Sequence, residues 1–332
     1  MIHTNSRKRW FLMLFGLLIL TVLLIPIASA QTSKTKDGKH TLAPVVVHSI
    51  KHDVSPTLRA LCANPDLKMP KPENERERLN PGLPKVIGKT PAISKDPVVN
   101  LQTKGTFATP PTLGTFEGMN QKDNYYTIGS GVLPPDTEGA VSPTYYLEWV
   151  NLVISVYAKD GTRLFGPIPG NAIWTGFGGP CEQSNMGDPI VLYDQLADRW
   201  LISQFTDPYI VPYEECVAIS QSGDPTGAYY RYAFEWPNSD FPDYPKIGVW
   251  PDGYYISANQ FYQFASWGGQ GVASFERDKM LIGQPARMVY FDLLPVEDYW
   301  GGMTVGTVDG LPPPAGTPAY FSEIDDSTSY YF

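Results

Sequence analysis

Short runs of apolar and aromatic residues, separated by Gly, Pro and Asp turns, fill the chain from residue 112 onward. Such runs predict β-strands that pack face to face. Three runs open on Tyr146-Leu147, Trp200-Leu201 and Tyr255-Ile256, at spacings of 54 and 55 residues. A recurrence of about 50 residues with several short strands in each unit is typical of β-propeller blades.

Each repeat divides into four predicted strands. In chain order they are Gly139–Val141, Tyr145–Asn151, Val153–Tyr157 and Thr162–Phe165, then Pro189–Tyr193, Trp200–Phe205, Cys216–Ser220 and Tyr229–Phe234, then Lys246–Val249, Tyr255–Gln260, Gly271–Phe275 and Ala286–Phe291. No segment has a sustained helical period of 3.6 residues, so the folded part is predicted to be all-β. A two-sheet β-sandwich of similar strand count is the alternative architecture.

A fourth run, Tyr330-Tyr331-Phe332, has just begun where the chain stops. A propeller closes only when its ring of blades is complete. We therefore expect residues 112–332 to be a partial β-propeller of about three and a half blades, from a C-terminally truncated fragment of a longer protein.

The N-terminal part has a different composition. Residues 1–30 have a basic start, an apolar stretch and an Ala-Ser-Ala site, as in an export signal peptide, with an uncleaved membrane anchor as the alternative. Residues 31–111 are rich in Lys, Pro, Thr and Asn and predict a flexible polar leader with one short helix near residues 56–62. No later segment is apolar enough to span a membrane.

Charge and histidine content narrow the possible functions. Residues 1–111 hold 16 Lys and Arg against 7 Asp and Glu, whereas residues 112–332 hold 9 against 27. The acidic folded part argues against nucleic acid as a partner, because phosphates would be repelled. All four histidines precede residue 53, which excludes histidine-based zinc sites and Ser-His-Asp triads from the folded part.

The chain has three cysteines. Because exported proteins meet an oxidising environment, we expect Cys181 and Cys216, which flank strands of the second repeat, to form a disulfide. Cys62 lies in the leader, and it is either free or paired with a partner beyond residue 332.

Four motifs carry a resemblance to a family. They are Pro134-Pro135-Asp136-Thr137, Gly187-Asp188-Pro189-Ile190-Val191-Leu192-Tyr193-Asp194, Asp243-Tyr244-Pro245-Lys246 with Trp250-Pro251-Asp252-Gly253, and Phe275-Glu276-Arg277-Asp278. Residues 125–332 resemble an uncharacterised family of large exported bacterial proteins. The resemblance implies a β-propeller, often followed by adhesion-type modules, and implies no activity.

An acidic residue precedes or opens each repeat. Asp136, Asp188 and Asp243 stand 10, 12 and 12 residues before the run that marks their repeat. If these residues begin the innermost strands of blades, their carboxylates converge and bind Ca²⁺, or a cationic or hydroxyl-rich ligand. The alternative is that each carboxylate only caps its own turn.

Two further features bear on function. Trp267 and Trp300 lie among glycines, so we expect them to be exposed and able to stack on sugar rings. Acidic residues also crowd the second repeat, as the pairs of a glycosidase require. These are Glu182, Asp188, Asp194, Asp198, Glu214 and Glu215.

The sequence therefore favours a secreted or envelope-displayed binding and adhesion module that recognises a glycan or a protein at the cell surface. The alternative is a carbohydrate-active hydrolase, similar to sialidase propellers, that uses paired carboxylates. The four arginines of the repeats do not recur at one position, as a sialidase would require, and no catalytic residue is assigned. They are Arg163, Arg199, Arg231 and Arg277.

Overall fold

The computed structural model describes residues 32–34, 40–63, 114–129, 131–132 and 134–324. The predicted signal peptide and the fourth run, Tyr330–Phe332, lie outside these residues. In chain order the strands are β1 (Thr32–Lys34), β2 (His40–Leu42), β3 (Val45–His48), β4 (Lys51–Val54), β5 (Thr137–Val141), β6 (Tyr145–Val150), β7 (Val153–Ala158), β8 (Arg163–Pro169), β9 (Ile190–Asp194), β10 (Arg199–Phe205), β11 (Glu214–Ser220), β12 (Tyr229–Glu235), β13 (Asp240–Trp250), β14 (Gly253–Tyr262), β15 (Ser266–Phe275), β16 (Arg287–Asp292), β17 (Thr304–Val305) and β18 (Phe321–Ser322).

Helices are few and short in the described ranges. They are α1 (Leu58–Ala63), α2 (Gln121–Ile128), α3 (Pro180–Gln183) and α4 (Arg277–Met280), with 3₁₀ turns at Gly170–Trp174 and Pro237–Ser239. The predicted all-β class is confirmed.

Three antiparallel sheets correspond to the three sequence repeats. Sheet 1 has the order β5-β6-β7-β8, sheet 2 the order β9-β10-β11-β12-β4, and sheet 3 the order β13-β14-β15-β16-β3. The first four strands of each sheet are consecutive along the chain, so each strand pairs with the next one in sequence. Thus each sheet is one sequence repeat folded into a meander.

The first strands of the three sheets are neighbours. β9 contacts β5 on one side and β13 on the other. Apolar side chains fill the spaces between the sheets. Trp149 and Trp200 belong to one cluster of buried residues, and Phe205, Phe241 and Phe275 to another.

Part of the polar leader completes two of the sheets. β4 pairs with β12 at the edge of sheet 2, and β3 pairs with β16 at the edge of sheet 3. The Arg231 side chain is 2% exposed and donates two hydrogen bonds to the Asp53 carboxylate, of 2.8 and 2.7 Å. The sequence predicts a flexible leader. In the structure, residues 45–54 of this leader join the outer edges of sheets 2 and 3. The predicted short helix corresponds to α1.

The predicted disulfide is confirmed. Cys181 and Cys216 are bonded, with their Cα atoms 5.8 Å apart, and both side chains are fully buried. The bond joins α3, in the connection between sheets 1 and 2, to β11. Cys62 is free and exposed.

A buried carboxylate of sheet 2 accepts hydrogen bonds from Tyr254 in sheet 3 and from Arg277, which follows β15 of that sheet. Asp194, at the end of β9, is fully buried and accepts hydrogen bonds of 2.7 and 3.1 Å from the Arg277 guanidinium. The Tyr254 hydroxyl donates to the same carboxylate at 2.8 Å, and the backbone amides of Leu196 and Ala197 donate to it as well. Because every charge here is paired, the burial of this ion pair is tolerated.

We predict that Asp194→Asn lowers the free energy of unfolding by about 3 kcal/mol, because it leaves the largely buried Arg277 guanidinium without its counter-charge. Urea denaturation measures the change. Asp309→Asn, which alters an exposed carboxylate, is the matched control and should change stability by less than about 0.5 kcal/mol. Equal stability of the two variants would show that the Asp194–Arg277 ion pair contributes little to the free energy of unfolding.

Candidate ligand-binding site

The three predicted acidic residues meet at one end of the first strands. Asp136 directly precedes β5, Asp188 lies two residues before β9, and Asp243 lies at a register shift within β13. A cavity of about 200 Å³ opens between these strand starts. Its lining residues are Pro135, Asp136, Thr137, Glu138, Asp188, Pro189, Ile190, Tyr244, Pro245 and Lys246.

Local backbone structure fixes the carboxylates. Asp188 and Tyr244 both adopt positive φ, 43° and 49°, and the Tyr244 N–H donates to Asp188 Oδ2 at 3.1 Å. This bond links sheet 3 to the start of β9. On the other side, the Asn151 side-chain amide donates to Asp136 Oδ2 at 3.2 Å. Both hydrogen bonds join residues that are far apart in sequence, so they connect the strand starts to neighbouring parts of the fold.

Lys246 is the basic residue in the lining of the cavity. Its half-buried ammonium group lies 3.5 Å from the centroid of the Tyr244 ring and donates to the Pro245 carbonyl. Burial lowers the pKa of Lys246, while Glu138, Asp188, Asp136 and Asp243 raise it. One ammonium group therefore faces four carboxylates.

The carboxylates repel one another in this partly buried place. Burial raises the pKa of Asp188 to about 6, with a further contribution from the charge on Asp136. Burial also raises the pKa of Asp243 to about 7, and here the neighbouring charge is Asp188. The pKa values of Asp136 and Glu138 are also raised. Burial raises them, and the positive charge of Lys246 offsets part of the increase. Asp188 therefore interacts electrostatically with each of the other three carboxyl groups.

A fifth carboxyl group interacts electrostatically with Asp188. Glu215, in β11, is fully buried. Burial raises its pKa to about 8, a side-chain hydrogen bond with Ser203 lowers it, and the charge on Asp188 raises it. The sequence indicates Glu215 only as one of six crowded acids, and nothing in the Glu-Glu-Cys sequence distinguishes it from Glu214.

Most other acids of the second repeat have structural partners. The Glu182 carboxylate accepts from the backbone amides of Gly176 and Gly178, and Asp198 accepts from the Tyr193 hydroxyl. Glu214 lies beside the disulfide, where burial raises its pKa to about 7. Although Glu214 is close to both sulfur atoms, cysteines in a disulfide are not thiolate ligands for a metal.

The two predicted tryptophans do not line the cavity. Trp267 is half-buried, packs on Phe261 at a ring distance of 5.4 Å, and donates its indole N–H to the Asp298 carbonyl at 2.7 Å. Trp300 is also half-buried. At the cavity itself the exposed aromatic residue is Tyr244, whose side chain is 54% exposed.

Comparisons with known proteins give no family. The chain matches no protein-family model, no curated protein and no solved structure. In the described part of the chain, the helices are too short or too polar to cross a membrane.

We predict that Lys246→Met destabilises the protein by about 2 kcal/mol, because it leaves four carboxylates without their ammonium partner. Thermal and urea denaturation measure this loss. Lys122→Met, at an exposed position of α2, is the control. If Lys246→Met is as stable as the control, then Lys246 is not needed to offset the negative charge of the four carboxylates.

Proposed function

We propose that this chain forms β-propeller blades of an exported binding and adhesion module that acts in the extracellular space or the cell envelope. Its ligand site is the acidic cavity, and the ligand is a glycan or a protein. The observation that carries the proposal is the convergence of Asp136, Glu138 and Asp188 on one cavity, where Lys246 also interacts with Asp243.

The arrangement of the sheets supports the propeller. Each of the three sheets is a meander of one repeat, and the first strands lie in the order β5, β9, β13. In a propeller the first strand of each blade lines the central channel, so residues at the strand starts meet at one mouth of it. The buried disulfide is compatible with an oxidising compartment.

The chemistry of the cavity favours a ligand with hydroxyl or ammonium groups. Ionised carboxylates accept strong hydrogen bonds from such donors. Tyr244 adds an exposed aromatic ring at the edge of the cavity, which is suited to stacking on a sugar ring or on a cation. The volume of about 200 Å³ is below that of drug-sized pockets, so the site takes one sugar ring or one side-chain head group.

A hydrolase is the second candidate, and one observation favours it. Asp188 and Asp243 are neighbouring acids whose pKa values are raised to about 6 and about 7, as in a carboxylate that donates a proton near neutral pH. The arginines argue against the sialidase version. Arg163 pairs with Asp123, Arg231 with Asp53 and Arg277 with Asp194, and Arg199 donates to nearby carbonyls.

We predict that the full chain binds a subset of neutral or basic glycans on an array, or a basic peptide on a peptide array. The double variant Asp136→Asn/Asp188→Asn should bind its strongest ligand at least about tenfold more weakly, since each lost charge-assisted hydrogen bond contributes about 1.5–3 kcal/mol. Asp309→Asn is the control and should bind normally.

Three results separate the candidates. Binding that is lost in the double variant but retained in the control supports the binding module. Release of sugar from a bound glycan, abolished in Asp188→Asn, supports the hydrolase instead. Binding that is unchanged in the double variant would place the ligand site elsewhere and contradict the proposal.

A further inference from the structure

We propose that an exposed apolar surface beside the cavity binds the same ligand as the cavity, and that this ligand is a protein segment in which Lys or Arg stands next to large apolar residues. The basic head group enters the cavity, and the apolar residues lie on the loops at residues 206–213 and 262–266. This inference rests on the proposed function, because it concerns the same cavity. It adds a second contact surface and selects a protein over a glycan.

Exposed apolar side chains cover the loop between β10 and β11. Tyr209, Ile210 and Val211 are all exposed, Ile210 by 58% and Val211 by 53%. The Tyr209 ring contacts the half-buried Phe264 ring of the β14–β15 turn at a centroid distance of 5.5 Å, and Tyr262 at the end of β14 is also exposed. These five residues form one apolar surface, here named the loop surface. Contiguous exposed apolar patches are uncommon on soluble proteins and mark sites of interaction.

The loop surface lies at the same end of the sheets as the cavity. The pairing of β9 with β10 places Ile190 opposite Ser203, two residues before β10 ends. The β10–β11 loop therefore begins beside the residues that precede β9, which include Asp188. In sheet 3, Asp240 at the start of β13 lies opposite Tyr262. Both loops thus extend from the end of the sheets at which β9 and β13 begin, and the cavity opens at that end.

Phe241 connects the loop surface to the cavity. Its ring lies 4.8 Å from the Phe264 ring, and Phe241 precedes Tyr244 of the cavity lining by three positions in β13. Three residues of a strand span about 10 Å. Consequently, about four extended residues of a partner reach from the loop surface to the cavity.

Hydrogen bonds hold both loops in place. The Asp207 carboxylate accepts from the Tyr209 N–H at 2.7 Å, and the Gln263 N–H donates to the Ser239 carbonyl at 3.1 Å. Gln263 and Phe264 adopt positive φ, 49° and 52°, a region that residues other than glycine rarely occupy. The loop surface is therefore preorganised, which reduces the conformational entropy lost when a partner binds.

The charge around the loop surface favours a basic partner. Residues 206–213, 239–245 and 261–266 together contain three Asp and no Glu, Lys or Arg. The cavity beside them is lined by three carboxyl groups and one Lys. Lys or Arg on a partner is attracted to this part of the surface, whereas an acidic segment is repelled.

A protein segment complements both the loop surface and the cavity. A glycan offers hydroxyl groups to the cavity but little apolar surface to the aliphatic side chains of Ile210 and Val211. The cavity of about 200 Å³ has room for one Lys or Arg head group, and flanking apolar residues cover the loop surface. An apolar centre with polar groups around it is the usual anatomy of a protein–protein interface.

Fluorescence anisotropy with a labelled peptide tests the inference. The probe is a short fluorescein-labelled peptide that carries one Lys between two Leu residues in a background of Gly and Ser. The full chain should bind this peptide. Replacing its Lys with Gln, or both Leu residues with Ser, should weaken binding at least about tenfold, because each change removes one of the two contacts.

The double variant Ile210→Ser/Val211→Ser removes exposed side chains and leaves the core unchanged. We expect it to bind the peptide at least about tenfold more weakly than the parent chain. Leu311→Ser is the matched control and should bind normally. Leu311 is 95% exposed, and the carbonyl of the adjacent Gly310 accepts from Gln195 in the β9–β10 turn, at the opposite end of the sheets. Circular dichroism and urea denaturation verify that both variants fold.

The inference is overturned if the loop variant, Ile210→Ser/Val211→Ser, binds the peptide as the parent chain does, or if glycans bind and the peptide does not. Glycan binding that is lost in Asp136→Asn/Asp188→Asn would leave the proposed function intact. Binding to phosphatidylcholine vesicles that is lost in the loop variant and retained in the cavity variant would assign the loop surface to a membrane, which also overturns the inference. Absence of binding to both peptides and glycans would contradict the proposed function as well.

Discussion

The position of β9 between its two neighbours is the constraint on which the rest of the structure depends. At its C-terminal end, the Asp194 carboxylate is buried between the Arg277 guanidinium and the Tyr254 hydroxyl, so sheets 2 and 3 cannot separate there without exposing an ion pair. Near its N-terminal end, Asp188 accepts from the Tyr244 amide. Both ends of β9 are thus fixed to sheet 3 by carboxylates.

This arrangement explains why acids accumulate at the cavity. The first strands of three sheets approach one another, and an acidic residue lies near the start of each. The Asp188 carboxylate accepts from the Tyr244 amide, and the Asp136 carboxylate accepts from the Asn151 side chain. Burial raises the pKa values of Asp188 and Asp243, and a neighbouring carboxylate adds to each increase. A single lysine offsets part of the repulsion. The remaining negative charge is available for a ligand, which is the physical basis of the proposed binding function.

Local patterns in the sequence predict much of the fold. The 54–55 residue spacing and the turn residues locate all twelve strands of the three repeats, and the two cysteines of the second repeat predict the disulfide. Long-range pairing is harder to predict. Val45–His48 has no strong pattern of its own, and it becomes a strand because β16 offers an open edge. The burial of Glu215 likewise depends on the register of β11, which the sequence of one strand does not contain.

The most direct measurement for the central claim is a crystal structure of the chain in complex with the strongest ligand that an array identifies. We predict that the ligand lies in the cavity and that its hydroxyl or ammonium groups donate hydrogen bonds to the carboxylates of Asp136 and Asp188. A ligand bound elsewhere, with the cavity unoccupied, would contradict the account. The acidic residues would then be turn caps around a structural lysine.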